Sequence, residues 1–385
     1  MAMRLDLAAA LVTVRLGSAQ WLVNPTDRAK FNSLFDTLKG EPLSCNVKML
    51  EPRVDFAFRF ELRYIVTCEL GQFGESGAVL STFLRVKPEN GAEVTLGDRY
   101  GVDGLPQDAR KISVGKRQGD LEFSEALAAG AGVYTMNLLV LDNRNRLYRR
   151  RWKVKAIPRG NEGKLNFSME PSALAPLRAT SVAFKPKTAN GPRLTVLMNA
   201  APIDQRSTNL RAWDRAFLLD SLASLLRELP YSLVRVVAFN LEQQHEIYRQ
   251  DDFGEGNMRG LARSLRSFEM GKVSYQTLER QQGWAELLLA LLKKESQAKE
   301  PAGAVVFLGP VLRLQQKAPV DLLSSYGSQT PPLFCVSYYS RVGADFPDSV
   351  QRLTAALKGK VFRIHTPGDL AQNLEKLKRE IARGN

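Results

Sequence analysis

Two histidines, His245 and His365, are the chain's whole supply of imidazole. A nucleophile–His–acid triad would need one of them as its base. No G-x-S-x-G elbow is present to hold a serine at a strand-to-helix turn. The glycines of GEGNMRG, Gly254 to Gly260, follow QDDF and lack phosphate-loop or dinucleotide spacing, so they read as a loop. Asp251, Asp252 and Glu255 beside them read as a solvated acidic turn. Three cysteines, Cys45, Cys68 and Cys335, have no C-x-x-C spacing, which leaves out a zinc or redox motif. Cys45 and Cys68 fall on neighbouring strands, where they are either bridged in an oxidising compartment or two buried thiols. Cys335 sits in an apolar strand and reads as core. These residues point away from an enzyme, with no catalytic residue, metal ligand or small-molecule cofactor to assign.

The richest charged chemistry is in RLYRRRWKVKA. At a period of two, Arg149, Arg151, Lys153 and Lys155 share one face, while Tyr148, Trp152 and Val154 share the other with Arg150. Such a row of cations suits a polyanion, and on an edge strand it also guards against sheet-to-sheet association. The 385-residue chain has 54 Lys+Arg against 40 Asp+Glu, a net charge of +14. The excess is spread, +4 over residues 43–157 and +6 over 191–385, so it describes a basic surface before a nucleic-acid footprint.

The elements that must position these residues change along the chain. MAMRLDLAAALVTVRLGSAQ carries a basic residue, an apolar run and a small-residue ending, the form of a secretory leader over residues 1–19. The alternative is an ordinary strand or chain end, which would leave the protein cytoplasmic. No apolar run is long enough to cross a membrane as a helix. The rest of the N-terminal segment, to residue 42, predicts a short helix over 27–39, capped by Thr26. Residues 43–157 alternate at period two, as in VDFAFRFELRYIVTCEL, AVLSTFLRVKP and VYTMNLLVLD, which predicts an antiparallel β-sandwich of immunoglobulin-like type. Residues 158–190, rich in Pro, Gly, Asn and Ser, read as a linker. From 191 to 385, apolar strands alternate with amphipathic helices, which predicts an α/β class with a doubly wound, mostly parallel sheet and one antiparallel edge strand. The helix LRAWDRAFLLDSLASLLREL is expected to bury Trp213, Phe217, Leu218, Leu222 and Leu225.

This order of strands and helices, with the closing KGKVFRIHTPGDLAQNLEKLKREI, resembles a von Willebrand factor type A domain over residues 191–383. With the preceding sandwich, the whole chain resembles the bacterial VWFA-related proteins first grouped from acidobacteria, which are mostly exported. The resemblance implies a metal-ion-dependent adhesion site at the C-terminal edge of the sheet, built on an Asp-x-Ser-x-Ser loop after the first strand. In RLTVLMNAAPIDQ the corresponding places are Asn199, Ala201 and Ile203, whose side chains do not make a hard-oxygen metal site. Gly309-Pro310 stands where a second Asp would be, and Ser274 or Thr277 falls near the second loop. The resemblance therefore implies a degenerate, metal-free adhesion scaffold, non-enzymatic and periplasmic or secreted. It would bind a protein partner around Asn199, Asp204, Thr277, Gly309 and Tyr339. Tyr338, Tyr339 and Arg341 are of types enriched in binding hot spots. A polyanion or nucleic-acid binder and an enzyme with an unrecognised site are the alternatives.

Overall fold

A computed structural model describes residues 21–23, 35–36, 39–73, 77–102, 120–177, 191–204, 207–269, 283–312, 331–339 and 348–383. The leader segment, most of the 27–39 helix, the C-terminal part of the linker (178–190), Thr277, Arg341 and the APVDLLSSY helix fall outside these residues. The chain divides into two compact units. The first comprises residues 1–54, 59–163 and 167–178, and the second comprises 55–58, 164–166 and 179–385.

The first unit is built from β1 (Trp21–Leu22), β2 (Cys45–Met49), β3 (Arg53–Val54), β4 (Phe60–Glu69), β5 (Ala78–Pro88), β6 (Val94–Val102), β7 (Asp120–Ala129), β8 (Gly132–Asp142), β9 (Leu147–Ala156) and β10 (Leu174–Pro176). One sheet runs β1-β6-β5-β8-β9 and the other β10-β7-β4-β2, with β3 on β4; every pairing in both is antiparallel. Alternation explains the strands. Phe60, Leu62, Tyr64, Val66 and Cys68 of β4 are buried, as are Leu80, Leu84 and Val86 of β5 and Tyr134, Met136, Leu138 and Val140 of β8. Cys45 and Cys68 stand opposite each other on β2 and β4 and form a disulfide.

The β8–β9 hairpin is set by its turn. Asn145 takes a left-handed φ of 63°, a conformation that its short polar side chain tolerates. Asp142 closes the loop by accepting from the N–H groups of Arg144 (2.9 Å) and Arg146 (2.8 Å). This turn fixes the register that brings Leu141 opposite Leu147 and Gly132 opposite Ala156. Gly130 precedes β8, and a Cβ there would fall 1.9 Å from the Glu170 carbonyl oxygen, so only glycine allows that approach.

The second unit is built from β11 (Leu194–Asn199), α1 (Ala212–Glu228), β12 (Val234–Asn240), β13 (His245–Gln250), α2 (Met258–Ser267), α3 (Gly283–Ser296), β14 (Ala304–Pro310), β15 (Leu333–Tyr338), α4 (Ser349–Ala356), β16 (Lys360–Ile364) and α5 (Pro367–Arg383). Its sheet has the order β13-β12-β11-β14-β15-β16 and is mixed, with β12–β13 antiparallel and the other pairings parallel. Both faces are buried. Leu194, Val196 and Met198 pack with residues of α1, α2 and α5, whereas Leu197 packs with residues of α3 and α4.

The fold class expected from the sequence is corrected. Among the described residues nine strand pairings are antiparallel and four parallel, and two of three sheets are wholly antiparallel. The chain is predominantly an antiparallel β-protein in which strand outweighs helix, and not a doubly wound parallel α/β protein. The class had been set by the apolar runs of the C-terminal half.

A second correction concerns VDFAFRFELRYIVTCEL. It is not one strand, because β3 turns back onto β4 and Phe58 takes a φ of 57°. Phe56 joins the second unit's core, with its ring 4.9 Å from Phe217 and 5.5 Å from Tyr338. Ser224 Oγ donates to the Phe56 carbonyl at 2.7 Å, and Arg227 lies over the Phe58 ring. On α1, Phe217, Leu218, Leu222 and Leu225 are buried as expected, but Trp213 is 43% exposed.

Candidate functional site

Two places carry candidate chemistry. The first is the junction after β11. Asn199, Ala200, Ala201 and Ile203 are all buried there. Their side chains divide between the sheet's two faces: Ala200 and Ile203 join the α1 side, and Ala201 the α3 side. Asn199 Oδ1 accepts from Leu241 N–H at 3.2 Å, and Asn240 Nδ2 donates to the Ala200 carbonyl at 2.7 Å. Asp214, in the first turn of α1, accepts from Ile203 N–H at 2.9 Å and from Arg211 N–H at 2.8 Å. It thereby satisfies one donor of the junction and one at the helix start. Burial raises its carboxyl above the ordinary value, against the lowering by those two N–H groups.

The residues expected to face a partner are placed as follows. Asn199 is fully buried, and its Nδ2 has no hydrogen-bond partner among the described residues. Gly309 is also structural: a Cβ there would stand 3.0 Å from Asn199 Cβ, so glycine lets β14 approach the end of β11. Tyr339 is 4% exposed; its hydroxyl accepts from Gln351 Nε2 at 2.7 Å, and its ring lies beside His365 and under Arg363. Asp204 is exposed, with Arg211 at 3.9 Å, a solvated pair of little energetic weight. Thr277 lies outside the described residues. Asn199, Gly309 and Tyr339 thus each have an internal task and lie under the surface. Tyr338, half-buried, is committed to the Phe217 ring at 4.5 Å.

Further along the same edge, Asp348 caps α4 by accepting from Val350 N–H at 2.8 Å, and Ser337 Oγ donates to it at 3.3 Å. Burial pushes its carboxyl up to about 6. Cys335 is buried next to Ser337, and burial pushes its thiol up to about 12, an inert thiol. His245 and His365 are exposed. Among the described residues no three of His, Cys, Asp or Glu gather in a way that would hold a metal ion.

The second place is the outer face of the β9 sheet. Arg149, Arg151, Lys153 and Lys155 are exposed, and Trp152, Val154 and Ala156 point the other way. Register extends this row across the sheet. Lys153 pairs with Thr135 of β8, which pairs with Lys87 of β5; Arg151 pairs with Asn137, which pairs with Arg85. Directly paired residues share a face, so two rows form, each with a neutral polar group between cations. With strands about 4.8 Å apart, the cations of a row attach about 10 Å apart, and the two rows lie about 7 Å from each other.

Arg85 is partly covered, with Asp36 at 3.4 Å and the Phe35 ring beneath its guanidinium. Phe35 also packs on Phe83 and Leu139, which closes that end of the face. Arg151, Lys153, Lys155 and Lys87 make no ion pair with any described residue. Of this surface the sequence showed the β9 row. Lys87, Thr135 and Asn137 join it only through pairings of three strands far apart in sequence.

No family model matches the chain. No curated protein matches it either. Among solved structures it is similar to a putative ApaA protein from Bordetella pertussis, at 11% identity over 32% of this chain and 100% of that one, with a TM-score of 0.21. It is also similar to a glycosyl hydrolase family 2 member from Bacteroides cellulosilyticus, at 12% identity over 82% of this chain, with a TM-score of 0.20. The chain spans 38% of that hydrolase. A β-glucuronidase from Bacteroides uniformis stands at 9% identity over 88% of this chain and 32% of that one, with a TM-score of 0.20. Likeness at these scores decides neither the fold nor the activity of this chain.

Proposed function

We propose that this protein is a non-catalytic, metal-independent binding protein of an oxidising compartment, and that its ligand is an anionic polymer held on the outer face of the β9 sheet. The observation that carries this reading is the set of exposed cations, Arg151, Lys153, Lys155 and Lys87, that no described carboxylate neutralises. Cations left unpaired on a regular surface gain most from a polymer that replaces the surrounding counterions. The disulfide between Cys45 and Cys68 supports export, since such bonds persist outside reducing compartments.

The reading of a protein partner at the edge of the second unit's sheet is weaker. Burial of Asn199, Gly309 and Tyr339 leaves Asp204 as the exposed member of that group among the described residues.

Retention on immobilised heparin tests the proposal. The wild-type protein is expected to elute at a higher salt concentration than the double variant Arg151→Gln/Lys153→Gln. Equal retention of the two proteins would remove this face as the binding surface.

A further inference from the structure

We infer that the polymer is an acidic polysaccharide, lying across the strands so that its anionic groups meet the cations and its hydroxyls meet Thr135 and Asn137. This inference rests on the polyanion reading above and goes further, to the ligand's chemical class.

The row Lys153–Thr135–Lys87 places a hydroxyl between two exposed cations, and in the neighbouring row the Asn137 amide stands beside exposed Arg151, with Arg85 beyond it held by Asp36 and Phe35. Thr135 and Asn137 are half-buried and spend no side-chain hydrogen bond on any described residue. Each therefore keeps both a donor and an acceptor for a ligand. A chain of sugars that carry carboxylates or sulfates presents that mixture of groups. A phosphodiester chain presents anions and flat bases, and the bases need aromatic side chains to stack upon. On β9 the aromatic side chains turn inward: Trp152 stands opposite buried Met136, and Tyr148 opposite buried Val140. Phe83, on the outer side, is 9% exposed and covered by Phe35. The face thus offers charge and hydrogen bonds without a stacking platform. The disulfide also favours a compartment where acidic glycans are the abundant polyanions over one where nucleic acids are.

The test compares heparin, polygalacturonate and an oligodeoxythymidylate at one salt concentration, by equilibrium titration of the full chain. The proteins are the wild type, Arg151→Gln/Lys153→Gln and Thr135→Val/Asn137→Ala, each checked for the wild-type far-UV spectrum and melting point. At least one of the two glycans is expected to bind the wild type ten-fold or more tighter than the oligonucleotide does. The Thr135→Val/Asn137→Ala variant is expected to lose about three- to ten-fold in glycan affinity, with an unchanged salt slope and unchanged oligonucleotide binding. Equal or tighter binding of the oligonucleotide would overturn the glycan assignment while leaving the polyanion reading standing. Full glycan affinity in Thr135→Val/Asn137→Ala would overturn the role of the neutral pair. Failure of all three polymers at low salt would overturn the polyanion reading and this inference together.

Discussion

The junction after β11 and the outer face of β9 treat their polar groups in opposite ways. At the junction Asp214 serves two backbone N–H groups, Asn240 and Asn199 tie the loop to the β12–β13 turn, and Tyr339 is held by Gln351. On β9 three cations in a row, Arg151, Lys153 and Lys155, are exposed without a carboxylate partner among the described residues. The difference separates two kinds of polar residue that look alike in a sequence. A group whose hydrogen bonds are spent inside the fold contributes stability. A group left over on the surface contributes little to stability and remains available for binding. Substitutions at the junction are therefore expected to change stability and spare binding, and substitutions on β9 the reverse.

The largest effect on stability is expected from Asp214→Ala. It strands the N–H groups of Ile203 and Arg211 in a site where the carboxylate is 1% exposed. The expected cost is about 2–4 kcal/mol in urea denaturation, with heparin binding of the remaining folded protein unchanged. A loss below 0.5 kcal/mol would mean the junction repacks and the comparison is too sharp. Gly309→Ala comes next. Its Cβ would press on Asn199, and a cost of about 1–3 kcal/mol is expected, read as a lower thermal midpoint.

The sandwich adds a pH-dependent case. Glu125 is buried among Tyr64, Tyr100, Thr82 and Asp98. Thr82 Oγ1 donates to it at 2.6 Å, Tyr100 at 2.9 Å, and Tyr64 also donates. Burial raises its carboxyl above the ordinary value, Asp98 adds to that, and the three hydroxyls oppose it. A carboxyl whose value is raised on folding favours the protonated fold. Its contribution is complete below the unfolded value near 4.5 and is lost as pH rises through the folded value. Glu125→Gln is therefore expected to flatten the fall of stability with rising pH above 4.5, measured by urea denaturation across a pH series. An unchanged profile would remove Glu125 as its source. The smallest effect on stability belongs to Arg151→Gln/Lys153→Gln, within about 0.5 kcal/mol of wild type. A larger loss would show that these cations hold the sheet and are not spare.

Much of the layout was legible in local pattern. AVLSTFLRVKP marks β5 from end to end, and the alternation of RLYRRRWKVKA separates the exposed cations of β9 from Trp152 and Val154. Periodicity also placed α5 over Pro367–Arg383, where Leu370, Leu374, Leu377 and Ile381 are buried. Four things depended on distant partners and stayed hidden. Phe56 and Phe58 fit a period-two strand, but a turn with a left-handed Phe58 takes them into the second unit's core. Tyr339 has the composition of a hot spot, yet Gln351 and His365 draw it inside. The apolar runs of the C-terminal half point to a parallel sheet, whereas the antiparallel pairings that outnumber its parallel ones appear only in the strand register. The neutral members of the cationic rows, Thr135 and Asn137, were unreadable for the same reason.

The most direct measurement is the salt dependence of heparin affinity for wild type and for Lys87→Gln/Arg151→Gln/Lys153→Gln/Lys155→Gln. If four cations each displace a counterion, log K against log salt falls with a slope of about −3 in the wild type. The quadruple variant, with an unchanged melting point, is expected to bind more weakly and to lose most of that slope. Equal affinity and equal slope in the two proteins would contradict the account and place any polyanion binding elsewhere on the chain.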